Sequence, residues 1–504
     1  MNAIEELLGP HALASRGSHP ALICGDESID LAELARRVRL ASGAFAALGV
    51  RPGDRVLLLM RDTPECAAAW LGAVRLGAVA VALNTKLPES EYRHILDDSG
   101  ARLALIEDLF AVARPDLTAE LATERRIVVA GAVPGLPEWR AQLRDAAEAA
   151  PFAATAESPA FMLYSSGTTG RPKGIVHAHR AIAAAGGALR RFGLSAQDRI
   201  LATSRLFFAY GLEHALLGTL RIGATSILSA DWPTPEGVLE LAAKHRPTAL
   251  FSVPTMYRRL LAESPSRLSA LRGIRRFVSA GEAPSAQLAE QWRAASGGEM
   301  LNLYGMSETF CACIVTPPGT ADGVRTGLPL DGVELRLESD TATGAPGVLW
   351  VRHPAQAQRY ENRPDETAAQ FRDGWFCTRD LFTRDAEGYY VHHGRSDELV
   401  KIAGQWVRPA ELEDAVAALG EIAEAACVAI ADEDGLQRLA LFVAARPGVP
   451  DALAAAAAAC ERALPRHKRP KWLRAVEHLP RTATGKVQRF KLRELLQAEL
   501  ATKR

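Results

Sequence analysis

The sequence predicts an α/β protein with a large N-terminal region of parallel β/α sheets, a small antiparallel β unit, and a small α+β C-terminal domain. Three observations carry this reading. Short apolar runs alternate with helix-period stretches between Arg55 and Leu83 and again between Thr225 and Tyr304, the pattern of parallel strands crossed over by helices. After Gly323 that alternation gives way to short runs broken by Gly, Pro and Asp turns, which reads as antiparallel strands. From about Gly394 a new alternation begins, long enough for a domain of roughly a hundred residues.

In chain order, Arg55–Met60, Cys66–Leu76 and Ala78–Leu83 read as strand, helix and strand. Thr225–Leu228, Thr248–Val253, Arg276–Ser279 and Met300–Tyr304 read as strands, with helices starting near Pro235, Pro254 and Pro284. Sheets of this kind bind ligands beyond the carboxyl ends of their strands. Val333–Leu337, Gly347–Arg352 and Tyr389–His392 form the antiparallel unit. A helix over Pro409–Leu419, strands over Glu424–Ile430 and Leu439–Ala444, and a helix over Asp451–Leu464 complete the chain.

Composition narrows the function. At 504 residues the chain exceeds one ordinary core. Hydrophobic residues make up 48% and charged residues 23%, which excludes a disordered or fibrous protein. Lys plus Arg and Asp plus Glu balance at 59 each, so net charge gives no case for nucleic-acid binding. The seven cysteines are scattered without paired metal-ligand spacing, the pattern of reduced thiols in a cytoplasmic protein. Met1 to Leu13, with Glu5 and Glu6, lacks the basic-then-apolar order of a signal peptide. No apolar run approaches the ~20 residues of a membrane span. Ala452–Ala459, flanked by Asp451 and Glu461, reads as a helix.

The strongest chemical signal is Tyr164-Ser165-Ser166-Gly167-Thr168-Thr169-Gly170-Arg171-Pro172-Lys173-Gly174, directly after the apolar run Ala160–Leu163. Its glycines free backbone N–H groups to turn inward, its hydroxyls add donors, and Lys173 adds positive charge, a combination that cradles polyphosphate. It is not the GxxxxGK[ST] loop, because Arg171 and Pro172 separate Gly170 from Lys173. Taken alone, a Ser/Thr/Gly-rich run also describes a surface loop.

This run resembles the phosphate loop of the AMP-forming acyl-adenylate superfamily, which includes acyl- and aryl-CoA ligases, adenylation domains and luciferases. Four further stretches resemble the family's motifs in the family's order: Tyr304–Thr309, Gly374–Asp380, Gly394–Gly404 and Pro480–Lys486. The resemblance implies ATP, Mg2+ and coenzyme A as reactants or cofactors, and assigns roles by motif position. Ser165, Ser166, Gly167, Thr168, Thr169, Gly170 and Lys173 would hold phosphates. Ser307 would contact the α-phosphate and Glu308 would ligate Mg2+. Tyr304, Gly281, Glu282 and Ala283 would face adenine, with Asp380 on the ribose hydroxyls and Arg395 beside that sugar. Lys486 would be the catalytic cation where a carboxylate attacks the α-phosphorus. The resemblance also implies three regions: 1–393 binding ATP and the acid, 394–397 as a hinge about Asp397, and 398–504 as a mobile domain. Gly404 and Trp406 would line the approach of the CoA thiol.

On the acid side, Ser204–Leu212 is similar to benzoate and hydroxybenzoate CoA ligases. The implied acyl pocket is Phe207, Phe208, Ala209, Tyr210, Gly211, Ala280 and Cys311, with Phe208 at the gating position. Aromatic walls suit an aryl acid, although Phe207, Phe208 and Tyr210 also fit plain core packing. Two departures stand out: Glu213 where those ligases carry Gly, and Cys311-Ala312-Cys313 where they tend to place His. An altered ring substituent or a non-aromatic acid therefore stays open, as do loading of a carrier-protein phosphopantetheine and a homodimeric assembly. His177 and His179 read as a strand-to-helix transition and His392 and His393 as a strand end, none of them metal ligands.

Overall fold

The computed structural model describes residues 2–166, 171–338, 345–402, 405–417, 419–433, 435–446, 448–449, 451–481 and 487–502. The chain divides into two compact units: 1–338 with 350–378 and 383–392, and 339–349 with 379–382 and 393–504.

The first unit holds two mixed sheets. One has seven strands in the order Arg359–Tyr360, Pro172–Ala178, Pro159–Ser166, Val79–Ala82, Arg55–Leu59, Leu103–Glu107 and Ile127–Ala130. Its last five strands run parallel, whereas the first two are antiparallel additions at one edge. Between Arg55–Leu59 and Val79–Ala82 lies the predicted crossover helix, Pro64–Leu76. Thr63 caps it by accepting from the Cys66 N–H, and twelve of its residues are buried.

The other sheet has nine strands. Leu328–Pro329, Ile314–Val315, Met300–Tyr304, Arg276–Ala280, Ala249–Ser252, Arg199–Ala202, Thr225–Leu228, Pro20–Cys24 and Glu27–Asp30 follow in that order. The six from Met300–Tyr304 to Pro20–Cys24 are parallel; the flanking strands are antiparallel. The expectation of parallel sheets thus holds for their centres and needs correction at their edges. A buried central strand reads as a continuous apolar run, while an edge strand can be two residues long and leave no pattern.

A five-stranded sheet includes Glu334–Glu338, Gly347–Arg352, Trp375–Arg384, Phe371–Arg372 and Tyr390–Arg395, the smaller antiparallel part. Its last strand continues to Arg395, so His392 and His393 lie within it rather than at its end.

In the second unit, Ile422–Ala431 and Gln437–Ala445 pair antiparallel, and Trp472–Ala475 adds a parallel third strand. Period-2 alternation splits the side chains between two cores. Cys427, Leu439, Leu441 and Val443 pack with Leu412, Val416, Ala456 and Cys460 of helices Ala410–Ala417 and Ala452–Ala463. Ala426, Val428 and Phe442 pack with Leu492 and Leu496 of helix Arg489–Thr502.

Candidate functional site

The phosphate-loop candidate is the tip of a β-hairpin. Strands Pro159–Ser166 and Pro172–Ala178 pair antiparallel, with Ser165 opposite Lys173 and Ser166 opposite Pro172. Gly167, Thr168, Thr169 and Gly170, together with the Ser166 side chain, lie outside the described residues. The hairpin delivers Lys173 into a cluster of oxygens. Its Nζ is 2.7 Å from Glu366 Oε1 and 3.8 Å from Glu308 Oε1, and stands 3.8 Å from the centre of the Tyr360 ring. Tyr360 Oη donates to Glu308 Oε1 at 2.9 Å and lies 3.1 Å from Gln370 Oε1. Tyr360 is placed by its strand, which pairs with Ile175 on the hairpin, and Glu366 by helix Pro364–Gln370. Neither residue carried a signal in sequence, since a tyrosine in a polar stretch reads as surface until its partner is known.

Ser307 and Glu308 follow the carboxyl end of strand Met300–Tyr304. Their backbone is clamped from two sides. His177 Nε2 lies 2.9 Å from the Ser307 carbonyl, and the Ala357 N–H donates to the Glu308 carbonyl at 2.8 Å. Burial pulls the His177 pKa down to about 3, so the ring is neutral with its proton on Nε2. It stacks on Phe161 at 4.7 Å. Phe310, two residues past Glu308, adopts φ +57° and packs edge-on to Phe161 at 4.8 Å. The strand-to-helix reading holds: His177 is in the strand and His179 begins helix His179–Ala184.

Gly281, Glu282 and Ala283 leave the carboxyl end of Arg276–Ala280, the parallel neighbour of Met300–Tyr304. All three are exposed. Gly281 has φ +88°, where a side chain would be strained. Tyr304 is half-buried, with its ring 6.1 Å from that of His392. The adenine candidates therefore share one sheet edge.

The acyl candidates leave the carboxyl end of another strand of that sheet, Arg199–Ala202. A buried ion pair fixes the start of this segment. Arg205 Nε is 3.2 Å from Asp62 Oδ2, and the Leu206 N–H donates to the same oxygen at 3.0 Å. Arg205 Nη1 also donates to the carbonyls of Ser229 and Asp231. Phe207 is a core side chain in edge contact with Phe208, their rings 4.4 Å apart; Phe208 and Ala209 are half-buried. Gly211 is required by packing, because a Cβ there would come 2.1 Å from the Arg205 carbonyl oxygen. Tyr210 directs its hydroxyl to the carbonyls of Val278 and Ser252, at 3.2 and 3.3 Å. Ala280 and Cys311 are buried. Just beyond, Leu212–Leu217 forms a π-helical turn that places Glu213, 1% exposed, against Cys311 and Ala312.

Asp380, Arg395 and Asp397 belong to the second unit. Arg395 makes a two-point contact with Asp397, each distance 2.9 Å, and its Nη1 is 3.7 Å from Asp380 Oδ1. Burial would raise the Asp397 carboxyl, but the Arg395 hydrogen bonds and the Arg395 and Arg379 charges bring it below its ordinary value. Trp406 pairs with Lys401 in the hairpin Val400–Ile402/Gln405–Val407; its side chain, Ala403 and Gly404 lie outside the described residues. So does Lys486, within a segment bracketed by an antiparallel bridge between Arg481 and Val487.

Among the described residues no cluster of three or more His, Cys, Asp or Glu could hold a metal by itself. Glu308 is a half-buried carboxylate oxygen donor, and one such donor suits Mg2+, which keeps waters and takes its other ligands from phosphates. No helix among the described residues is long and apolar enough to cross a membrane.

Comparison with known proteins identifies the family. The AMP-binding enzyme family matches residues 10–361 and the AMP-binding enzyme C-terminal domain matches 411–486. A 3-hydroxybenzoate–CoA ligase of Aromatoleum sp. (strain CIB) is 40% identical, covering 99% of this chain and 97% of its own. The anthranilate CoA ligase AuaEII, solved with anthranoyl-AMP, superposes with a TM-score of 0.91 at 31% identity over 99% of this chain and 98% of its own. A benzoate CoA ligase from Burkholderia xenovorans LB400 gives 0.87 at 32% identity, covering 98% of this chain and all of its own. The chain therefore belongs to the AMP-binding enzyme family, whose members activate carboxylic acids with ATP and Mg2+, and it is an AMP-forming ligase of the acyl-CoA synthetase kind.

Proposed function

We propose that this enzyme joins an aromatic, benzoate-like acid to coenzyme A through an acyl-adenylate. The supporting observation is that its likeness to ligases for 3-hydroxybenzoate, anthranilate and benzoate runs over 98–99% of the chain. In the first half-reaction a carboxylate oxygen attacks the α-phosphorus of ATP and the bond to pyrophosphate breaks. Negative charge grows on the phosphate oxygens, and Lys486 supplies fixed positive charge there. Ser307 donates to the α-phosphate, while Lys173 and the hydroxyls of the hairpin tip hold the outer phosphates. Glu308 would hold Mg2+, which neutralises phosphate charge when bound. Tyr304 and Gly281–Ala283 face adenine, and Asp380 accepts from the ribose hydroxyls beside Arg395.

In the second half-reaction the CoA thiol attacks the acyl carbonyl, loses its proton, and the bond to AMP breaks. One arrangement serves both steps poorly, since the first excludes water and the second admits a long thiol arm. The reading therefore includes a C-terminal domain, 398–504, turning about 394–397 at Asp397, with Gly404 and Trp406 beside the incoming thiol.

The test is a screen of benzoate, hydroxybenzoates, aminobenzoates, cinnamates and medium-chain fatty acids with ATP and free CoA, following AMP and thioester together. An aromatic acid with the highest kcat/KM and thioester matching AMP is the expected result. AMP release without thioester sinks CoA as acceptor; preference for a fatty acid sinks the acid class.

A further inference from the structure

Glu213 is a buried carboxyl without a buried cation to balance it. It is 1% exposed, lies against the Cys311 thiol and the Ala312 N–H, and its Oε1 has no hydrogen-bond partner. The nearest base is His214, whose Nδ1 is 3.6 Å from Glu213 Oε2. That imidazole already bonds the Tyr210 carbonyl at 2.9 Å, and burial takes its pKa down to about 4, so it is uncharged. Arg221, the charged group near Cys311, pairs with Glu6 at 3.1 Å. Burial pushes Glu213 up to about 8, which leaves a neutral carboxyl able both to donate and to accept.

Its position is the second observation. Ala209 and Glu213 are four residues apart on one helical stretch and share a side of it, and Cys311 sits in the same apolar cluster as Ala209. Glu213 therefore stands between the two segments read as acyl pocket. A buried polar oxygen without a partner is destabilising, and an apolar side chain would serve packing better.

We propose that Glu213 determines specificity by hydrogen-bonding a hydroxyl or amino substituent on the ring of the acid. This rests on the aromatic-acid reading above.

The test measures kcat/KM of the full-length enzyme for benzoate, hydroxy-, amino- and fluorobenzoates, in wild type and in Glu213→Met and Glu213→Gln. Wild type should favour one hydroxy- or aminobenzoate over its fluoro counterpart by about tenfold or more, since a buried polar site rejects an analogue that leaves it unpaired. That comparison needs no variant to fold. Glu213→Met should erase the preference and Glu213→Gln should keep most of it, with the KM for ATP unchanged in both. Equal scaling of every acid by Glu213→Met, or a wild type indifferent to the substituent, overturns the role of Glu213 and leaves the aromatic reading standing. Absence of turnover with any aromatic acid overturns both.

Discussion

Two groups of candidate residues are held in opposite ways. Lys173, Glu308 and Glu366 are partly buried charged side chains paired with one another, with Tyr360 donating to Glu308. Around Glu213 and Tyr210 the polar groups are neutral, enclosed and bonded largely to backbone. The first arrangement suits partners that exchange: a phosphate can replace Glu366 on Lys173, and a metal can replace Tyr360 on Glu308. The second suits a shape that does not change. Substitutions on the nucleotide side should therefore alter rate with little change in stability, whereas those on the acyl side should alter stability and selectivity.

The largest effect should break the acyl side. Arg205→Ala leaves the buried Asp62 with the Leu206 N–H but without its cation, and removal of one partner of a buried pair costs about 3–5 kcal/mol. Chemical denaturation should show that loss, whereas Lys173→Ala, whose partners Glu308 and Glu366 keep 14% and 34% exposure, should lose less. Equal losses would remove the distinction between the two sides.

Next in size is Lys486→Ala. If Lys486 is the transition-state cation proposed above, its removal should slow adenylation by about 10²–10³, yet leave conversion of a supplied acyl-adenylate to the thioester close to normal and the unfolding midpoint unmoved. Single-turnover measurement of each half-reaction checks this; equal loss of both steps contradicts the division of labour.

The pH dependence of stability sharpens the comparison. Glu213 has a folded pKa of about 8 against an ordinary 4.5, so between those values the folded state holds the extra proton. Its contribution is complete below about 4.5 and is lost as pH rises through 8. Between pH 6 and pH 8 the Glu213 contribution alone should fall by about 2–3 kcal/mol at ~1.36 per unit, read as the difference between wild type and Glu213→Gln, because the buried histidines act with opposite sign over part of the same range. On the acid side the sign reverses. Burial lowers His177 to about 3 and His214 and His353 to about 4, so stability falls as pH drops below 6.5. Urea midpoints across pH would show both limbs.

What could be read in sequence follows the same physics. Thr225–Leu228, Met300–Tyr304 and Gly347–Arg352 match their strands to the residue, because apolar runs bounded by turn residues carry their own signal. Pro20–Cys24 gave no such signal: it is a short strand lying between its neighbour Glu27–Asp30 and Thr225–Leu228, some two hundred residues away. Glu213 and Cys311 were visible as departures from a pattern, but only the fold puts one against the other. The expectation for Glu308 came from its motif; its partner Tyr360, fifty-two residues on, belongs to no motif.

That partner gives the smallest and most specific effect. Tyr360→Phe keeps the ring beneath Lys173 and deletes only the hydroxyl that donates to Glu308 Oε1. If the bond merely stores Glu308 until a metal arrives, its loss should strengthen Mg2+ dependence slightly or leave it unchanged. If it orients the carboxylate, adenylation should fall by the worth of one hydrogen bond, about 0.5–1.5 kcal/mol or 2- to 12-fold. The second outcome is expected, because Tyr360 is itself fixed by strand pairing to Ile175 and packs edge-on to Phe371 at 5.5 Å, so it is a rigid donor. A double-mutant cycle with Glu308→Gln isolates the pair. Additive losses would mean that Tyr360 acts elsewhere; a loss in Tyr360→Phe that disappears in the Glu308→Gln background would place its whole effect on that one carboxylate oxygen.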